Sequence, residues 1–215
     1  MSSLQEYYDI LLGHFGSQSW WPGETTIEVI VGAVLTQNTN WHNVEKAIAN
    51  LKRAHVLDFQ TLLHLPQADL AAYIRPSGYY NLKATRLQNL LVYIDSCLDS
   101  EQELDSFFNG ETNSLREQLL HVKGIGPETA DSILLYAGQK PVFVIDAYAY
   151  RLLFRHGFVG EETSYEEMQE VMVDALPLDA PLFNEFHALI VAVGKEFCKK
   201  NNPQCSDCPL VDCLP

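Results

Sequence analysis

Four cysteines, Cys198, Cys205, Cys208 and Cys213, fall within the last eighteen residues, spaced C-x6-C-x2-C-x4-C. Thiolates packed this densely repel one another unless a metal centre or disulfides absorb them. The short spacer Ser206-Asp207 lets Cys205 and Cys208 grip one inorganic centre. Two centres take four thiolates: a cubane [4Fe–4S] cluster and a tetrahedral zinc ion. Zinc knuckles split their ligands into two C-x2-C-like pairs, whereas these spacers are 6, 2 and 4 and only one is short. That pattern favours the cluster. Nothing at the N-terminus resembles a secretory signal, so an oxidising compartment and disulfides are not expected. The fifth cysteine, Cys97, lies in a helical pattern and reads as an inert buried thiol.

A second constellation starts at Leu120-His121-Val122-Lys123-Gly124-Ile125-Gly126-Pro127-Glu128-Thr129. Two glycines one residue apart permit positive φ and close backbone approach. Ile125 between them can pack into the core, and Pro127 suits the first position of a following helix. The expected product is a tight turn whose N–H groups point outward at a helix N-terminus, ready for an anion. Flanking helices make it a helix-hairpin-helix, a non-specific grip on DNA phosphate; a purely structural turn is the alternative. Shortly after comes Val144-Ile145-Asp146. An acid directly after a buried apolar run is held partly desolvated, where its charge acts strongly on nearby chemistry. Asp146 can also cap the next helix, and the two roles are compatible.

The elements that must position these groups are helical. Leu4, Tyr8, Leu11, Leu12 and Phe15 share a stripe stopped by Gly16. Further helices are expected over Thr26–Gln37, Trp41–Arg53 (capped by Asn40), Asp69–Tyr73, Leu82–Ser96, Ser114–Leu120, Pro127–Ala137, Ala147–Arg155, Ser164–Leu176 and Leu182–Lys199. The one strand-like piece is Val142–Ile145. The expectation is an all-α chain: a six-helix lobe over about residues 24–140 that contains the hairpin motif (114–137), and a second lobe from 1–23 plus 141–215 with the cysteine loop at 198–213, a cleft between them.

At 215 residues, 47% hydrophobic and 20% charged, the composition is that of a globular protein rather than a disordered one. No apolar run reaches the roughly 18 residues of a membrane span; Ile27–Leu35 is too short and reads as amphipathic. A soluble, monomeric cytoplasmic protein is expected. A net charge of −14 argues against a polyanionic partner, but the charge is uneven. Asp95–Glu117 holds seven acids and only Arg116, and Glu161–Glu185 holds eight acids and no base. Elsewhere Lys83, Arg86, Lys123, Arg151, Arg155, Lys195, Lys199 and Lys200 are available for one DNA-binding face.

The hairpin, Val-Ile-Asp and the terminal cysteines, in that order, resemble the endonuclease III superfamily of helix-hairpin-helix DNA glycosylases along nearly the whole chain. The resemblance implies an endonuclease III-like fold, excision of damaged bases from double-stranded DNA, Asp146 as the catalytic carboxylate and a [4Fe–4S] cluster on the four cysteines. Before the last cysteine the family usually has five residues; here there are four, Pro209–Asp212. Where endonuclease III places its Schiff-base lysine, this chain has Glu128, which cannot form an imine. A monofunctional enzyme with water as nucleophile follows, and Glu128 is a second candidate catalytic carboxylate. Adenine-mispair glycosylases carry a glutamate where Gly32 or Ala33 stands here. The small helix-hairpin-helix 3-methyladenine DNA glycosylases are more similar, through Trp20-Trp21-Pro22, Gly32–Thr39, Arg75–Gly78, Tyr80-Asn81 and Lys123–Gly126, although they typically lack the cysteines. In that branch the residues matching Trp20, Trp21, Pro22, Trp41 and Lys195 form the base pocket. Those matching Gln37 and Tyr79 fill the gap left by the flipped base and wedge the opposite strand, while Lys123, Gly124, Ile125, Gly126 and Thr129 belong to the DNA-binding hairpin. A cationic 3- or 7-alkylpurine suits aromatic faces and leaves without much activation. The rival expectation is excision of oxidised pyrimidines with lyase activity, or a silent damage binder.

Overall fold

The computed structural model describes residues 3–18, 23–99 and 103–214. Their regular structure is helical: α1 (Leu4–Phe15), α2 (Thr26–Leu35), α3 (Trp41–Arg53), α4 (Phe59–His64), α5 (Gln67–Tyr73), α6 (Tyr80–Cys97), α7 (Thr112–His121), α8 (Pro127–Ser132), α9 (Ala147–Arg155), α10 (Tyr165–Ala175) and α11 (Ala180–Glu196). The chain forms two compact units, residues 22–138 and residues 1–21 with 139–215. Among the described residues no single helix is long and apolar enough to cross a membrane.

In the 22–138 unit, α2 is the axis. Every residue from Ile27 to Leu35 is buried, so the helix is enclosed on all sides rather than amphipathic as its sequence suggests. It packs against α3, α6, α8 and a π-helical turn at Ile133–Ala137 that continues α8. That continuation replaces the single helix expected over Pro127–Ala137. The hairpin helices are joined by an ion pair. Arg116 on α7 donates from Nε and Nη2 to the fully buried Asp131 on α8, at 2.7 and 3.1 Å. So the one base of the acidic Asp95–Glu117 run serves the interior.

In the other unit, α11 is the core helix, packed against α1 and α9, and α10 packs on α1. Val142–Ile145 is extended and buried but pairs with no strand, contrary to its strand-like sequence. Side chains of α10 do the work of a partner strand: Gln169 Nε2 donates to Phe143 O at 2.7 Å, and Ile145 N donates to Tyr165 Oη at 3.3 Å. The Phe143 ring packs edge-on against Phe183 and Phe186 of α11. α9 crosses α11 closely, because a Cβ at Gly194 would lie 2.4 Å from a Tyr148 ring carbon. Cys97, the last residue of α6, is exposed rather than buried.

Removing one partner of a buried pair strands the other charge. Arg116→Met is expected to lower the unfolding free energy by about 3–5 kcal/mol in chemical denaturation, and adding Asp131→Asn should recover part of that loss.

Candidate active site and cluster loop

The extended run Val142–Ile145 delivers Asp146 to the start of α9, where it is the N-cap. Its Oδ1 accepts from Tyr148 N and Ala149 N, both at 2.8 Å. Its Oδ2 lies 3.6 Å from His187 Nε2 on α11; the side chains are 17% and 5% exposed. Phe143, packed 6.4 Å from the His187 ring, helps set this approach. Burial pushes the Asp146 carboxyl up, but His187 and the two backbone donors outweigh it, and the net direction is down. Asp146 is therefore an anion at neutral pH. It can steady positive charge and accept a proton; it has none to give. His187 was not singled out from sequence, although a histidine between Phe186 and Ala188 in an apolar helix is a readable signal.

The hairpin turn runs from Val122 to Gly126. Gly124 has φ +102°, and a Cβ there would lie 2.3 Å from Arg86 Cγ, so this glycine is required. Gly126 differs from expectation: its φ is −100° and it has open space around it. Ile125 is buried, so only its backbone faces outward, and Lys123 is exposed. Thr129 is buried, and its Oγ1 accepts from Gln37 Nε2 at 2.9 Å. Gln37 Nε2 also donates to Gly124 O at 3.2 Å, and Gln37 Oε1 accepts from Arg86 Nη1 at 2.6 Å. Gln37 is thus latched to the hairpin. Glu128 is exposed in the first turn of α8.

Tyr79 stands 71% exposed with φ +45° at the start of α6. Trp41, half-buried at the start of α3, lines a pocket of about 200 Å³ with Glu28, Glu45, Ile48, Ala49 and Lys52. Lys195 is exposed in the last turn of α11. Trp20, Trp21 and Pro22 lie outside the described residues. The expected basic face is depleted. Lys83 is buried, Arg86 holds Gln37, Arg151 donates to Cys198 O, and Arg155 donates to Lys199 O and Lys200 O. These four cations are spent inside their units, leaving Lys123, Lys195, Lys199 and Lys200 exposed.

Cys198 follows α11, Cys205 and Cys208 bracket one 3₁₀ turn, and Cys213 ends another. All four are free thiols. Burial pushes the Cys208 thiol up, the Leu210 backbone donor opposes it, and the charges of Cys198, Cys205 and Cys213 add to the rise, so the sulfurs share one neighbourhood. Cys198, Cys205 and Cys208 line a single cavity with Arg155, His156 and Phe197. Thiolates round one zinc ion sit roughly 3.8 Å apart, given Zn–S bonds of about 2.3 Å. Among the described residues no three Cys, His, Asp or Glu donors converge on a single-ion site. A cubane takes one thiolate at each iron corner, and three of the four free thiols already share one cavity. Arg155 Nη1 donates to Cys198 Sγ at 3.2 Å, a cation placed where a thiolate cluster gathers negative charge.

Residues 31–177 match the profile described as HhH-GPD superfamily base excision DNA repair protein. The chain belongs to this superfamily. Over 212 residues, 98% of this chain and 96% of the relative, it is 44% identical to a protein of Methanocaldococcus jannaschii provisionally named a DNA repair glycosylase. It is 30% identical to endonuclease III of Thermotoga maritima across 84% of this chain and 78% of that one. A Helicobacter pylori 3-methyladenine DNA glycosylase, solved with 1,N6-ethenoadenine, is 32% identical with a TM-score of 0.79, covering 91% of this chain and 98% of that one. A DNA complex of endonuclease III superposes with a TM-score of 0.80 at 22% identity and shows the shared all-α fold. This HhH-GPD protein is a DNA N-glycosylase, and DNA is its binding partner.

For such a glycosylase the ionisation of Asp146 is open to direct measurement. The Asp146 carboxyl, followed by carbon NMR, should titrate below its ordinary value near 3.8. In His187→Gln the opposing charge is gone while desolvation remains, so the titration should move to higher pH. An unchanged midpoint would remove His187 from the account.

Proposed function

We propose that this glycosylase is monofunctional and hydrolyses the N-glycosidic bond of alkylated purines such as 3-methyladenine. The observation that carries the reading is Glu128, exposed in the first turn of α8 at the hairpin position where a lyase carries its Schiff-base lysine. A carboxylate cannot trap the sugar as an imine, so water is the nucleophile. Asp146, ionised and held by Tyr148 N and Ala149 N, steadies the oxocarbenium-like sugar and orients that water. A leaving base that already carries positive charge needs no proton, which matches a carboxylate with none to give. Trp41, half-buried at the start of α3, offers an aromatic face on which a cationic base can stack. The likeness to the H. pylori enzyme supports the same substrate class.

The hairpin grips phosphate through the backbone of Gly124, Ile125 and Gly126, with Lys123 adding charge. The fold has room for a Cβ at Gly126, so its glycine keeps that backbone open to a ligand. Gln37 and Tyr79 open the duplex, with Tyr79 offering an exposed ring as the wedge. The protein acts as a monomer on damaged double-stranded DNA. Cys198, Cys205, Cys208 and Cys213 hold a [4Fe–4S] cluster, which when bound cross-links the C-terminal loop and offers one-electron chemistry.

Excision of oxidised pyrimidines is the second reading, favoured by the 30% identity to the Thermotoga endonuclease III. A lesion panel read with and without alkali separates the two. Release of 3-methyladenine, intact abasic strands and no borohydride-trapped adduct are expected; thymine glycol excision with efficient trapping would overturn the proposal. Asp146→Asn should slow base release by a factor on the order of 10² while DNA binding survives. Anaerobically purified protein should be brown, absorb at roughly 400 nm and carry about four irons per chain. Cys205→Ala should lose the colour, whereas stoichiometric zinc would refute the cluster.

A further inference from the structure

Helix α6 carries a cation inside the fold. Lys83 is 1% exposed, and its ammonium donates to Leu35 O at 2.8 Å and to Ser77 O at 2.7 Å. Burial, with Arg86 adding repulsion, lowers its pKa to about 8, so it remains charged at neutral pH. Enclosing a charge against two carbonyls is unfavourable, and an apolar chain of the same length would fill the space. Packing alone gives no reason for a lysine here.

The reason lies in the two carbonyls. Leu35 ends α2 and opens the turn that carries Gln37. Ser77 ends the 3₁₀ turn Arg75–Ser77, after which Gly78 and Tyr79 both adopt positive φ, +71° and +45°. A left-handed backbone is strained for a bulky aromatic residue. With its ring 71% exposed, Tyr79 gains little burial to offset that strain. The turn must be held from beneath, and Lys83 holds it twice: through Nζ to Ser77 O, and through its own N–H to Tyr79 O at 3.0 Å. One turn further along α6 Arg86 fixes Gln37, and a turn beyond that Asn89 Nδ2 donates to Lys123 O at 3.1 Å.

We propose that Lys83 is a positioning residue that ties the turn bearing Gln37 to the turn bearing Tyr79, so that both side chains meet DNA at a fixed separation. The proposal rests on the reading that Gln37 and Tyr79 open the duplex around a lesion. Opening requires one side chain to enter the vacated gap while the other parts the opposite strand. Two turns that moved independently would do neither well.

The test compares base release from two duplexes that differ only opposite the lesion, one with a normal partner base and one with an abasic site that leaves little pairing to disrupt. Both 1,N6-ethenoadenine and thymine glycol serve as lesions, so the comparison survives failure of the alkylpurine reading. The rate ratio, paired over unpaired, cancels any difference in folded fraction. In Lys83→Met the ratio should fall about tenfold or more, equivalent to about 1.4 kcal/mol, and in Tyr79→Ala it should fall likewise. Lys83→Gln, which keeps two donors on a shorter arm, should fall less and carries the test if Lys83→Met does not fold. Equal losses on both duplexes would make Lys83 merely structural and overturn the proposal. A fall in Tyr79→Ala without one in the Lys83 variants would overturn it while leaving the duplex-opening reading intact. No change in Tyr79→Ala or Gln37→Ala would remove that reading, and the Lys83 proposal with it.

Discussion

The fixed position of one carboxylate organises the unit that contains it. Asp146 starts α9 by accepting two backbone N–H groups, and it can do so only because Val142–Ile145 arrives extended and buried. That run needs polar partners for its backbone, which Gln169 and Tyr165 supply from α10. It needs an apolar bed, which Phe183 and Phe186 supply from α11. The same α11 brings His187 to the carboxylate and, through Gly194, lets α9 lie close. Geometry and ionisation thus have common causes: the donors that cap the helix also keep Asp146 charged against its own desolvation.

The 22–138 unit solves a different problem, that of holding loops still while leaving them exposed. Backbone turns carry few apolar side chains, so polar clamps from α6 replace packing. The strain at Tyr79 and the latch on Gln37 are both answered by this one helix. The cost is electrostatic. In a chain of net charge −14, cations used as internal clamps are lost to phosphate. Few cations are then left to build a broad basic field.

Local chemistry was legible in the sequence; partnerships far apart along the chain were not. Asn40 and Asp146 each cap the helix their residue types predict, and Pro127 and Gly124 mark the hairpin as read. Asp58 could have announced α4 by the same rule, since its carboxylate accepts from Thr61 N, yet that helix went unanticipated. Val142–Ile145 misled because an apolar run of four looks alike whether a strand or helices cover it. The charge of Lys83 points to the surface, yet it continues the buried stripe of Leu87, Leu90 and Ile94, and in this helix periodicity outweighs residue type. His187 is conspicuous in its apolar helix, but its pairing with Asp146, like that of Arg116 with Asp131, depends on which helices touch.

The shortened last spacer of the cysteine loop has a structural counterpart. With four residues rather than five between Cys208 and Cys213, the chain closes through tight turns: Val211 N donates to Cys208 O and Cys213 N to Leu210 O, both at 3.0 Å. Leu210 is buried and anchors the middle of the segment. The end is held from outside the loop, because Tyr7 Oη on α1 donates to Cys213 O at 3.0 Å and lies 2.8 Å from His156 Nδ1. Tyr7 is itself fully buried, so its ring fixes the hydroxyl and leaves Cys213 little freedom to drift. A shorter spacer tolerates less slack, and the first helix of the chain, sequence-remote from the loop, takes up the constraint.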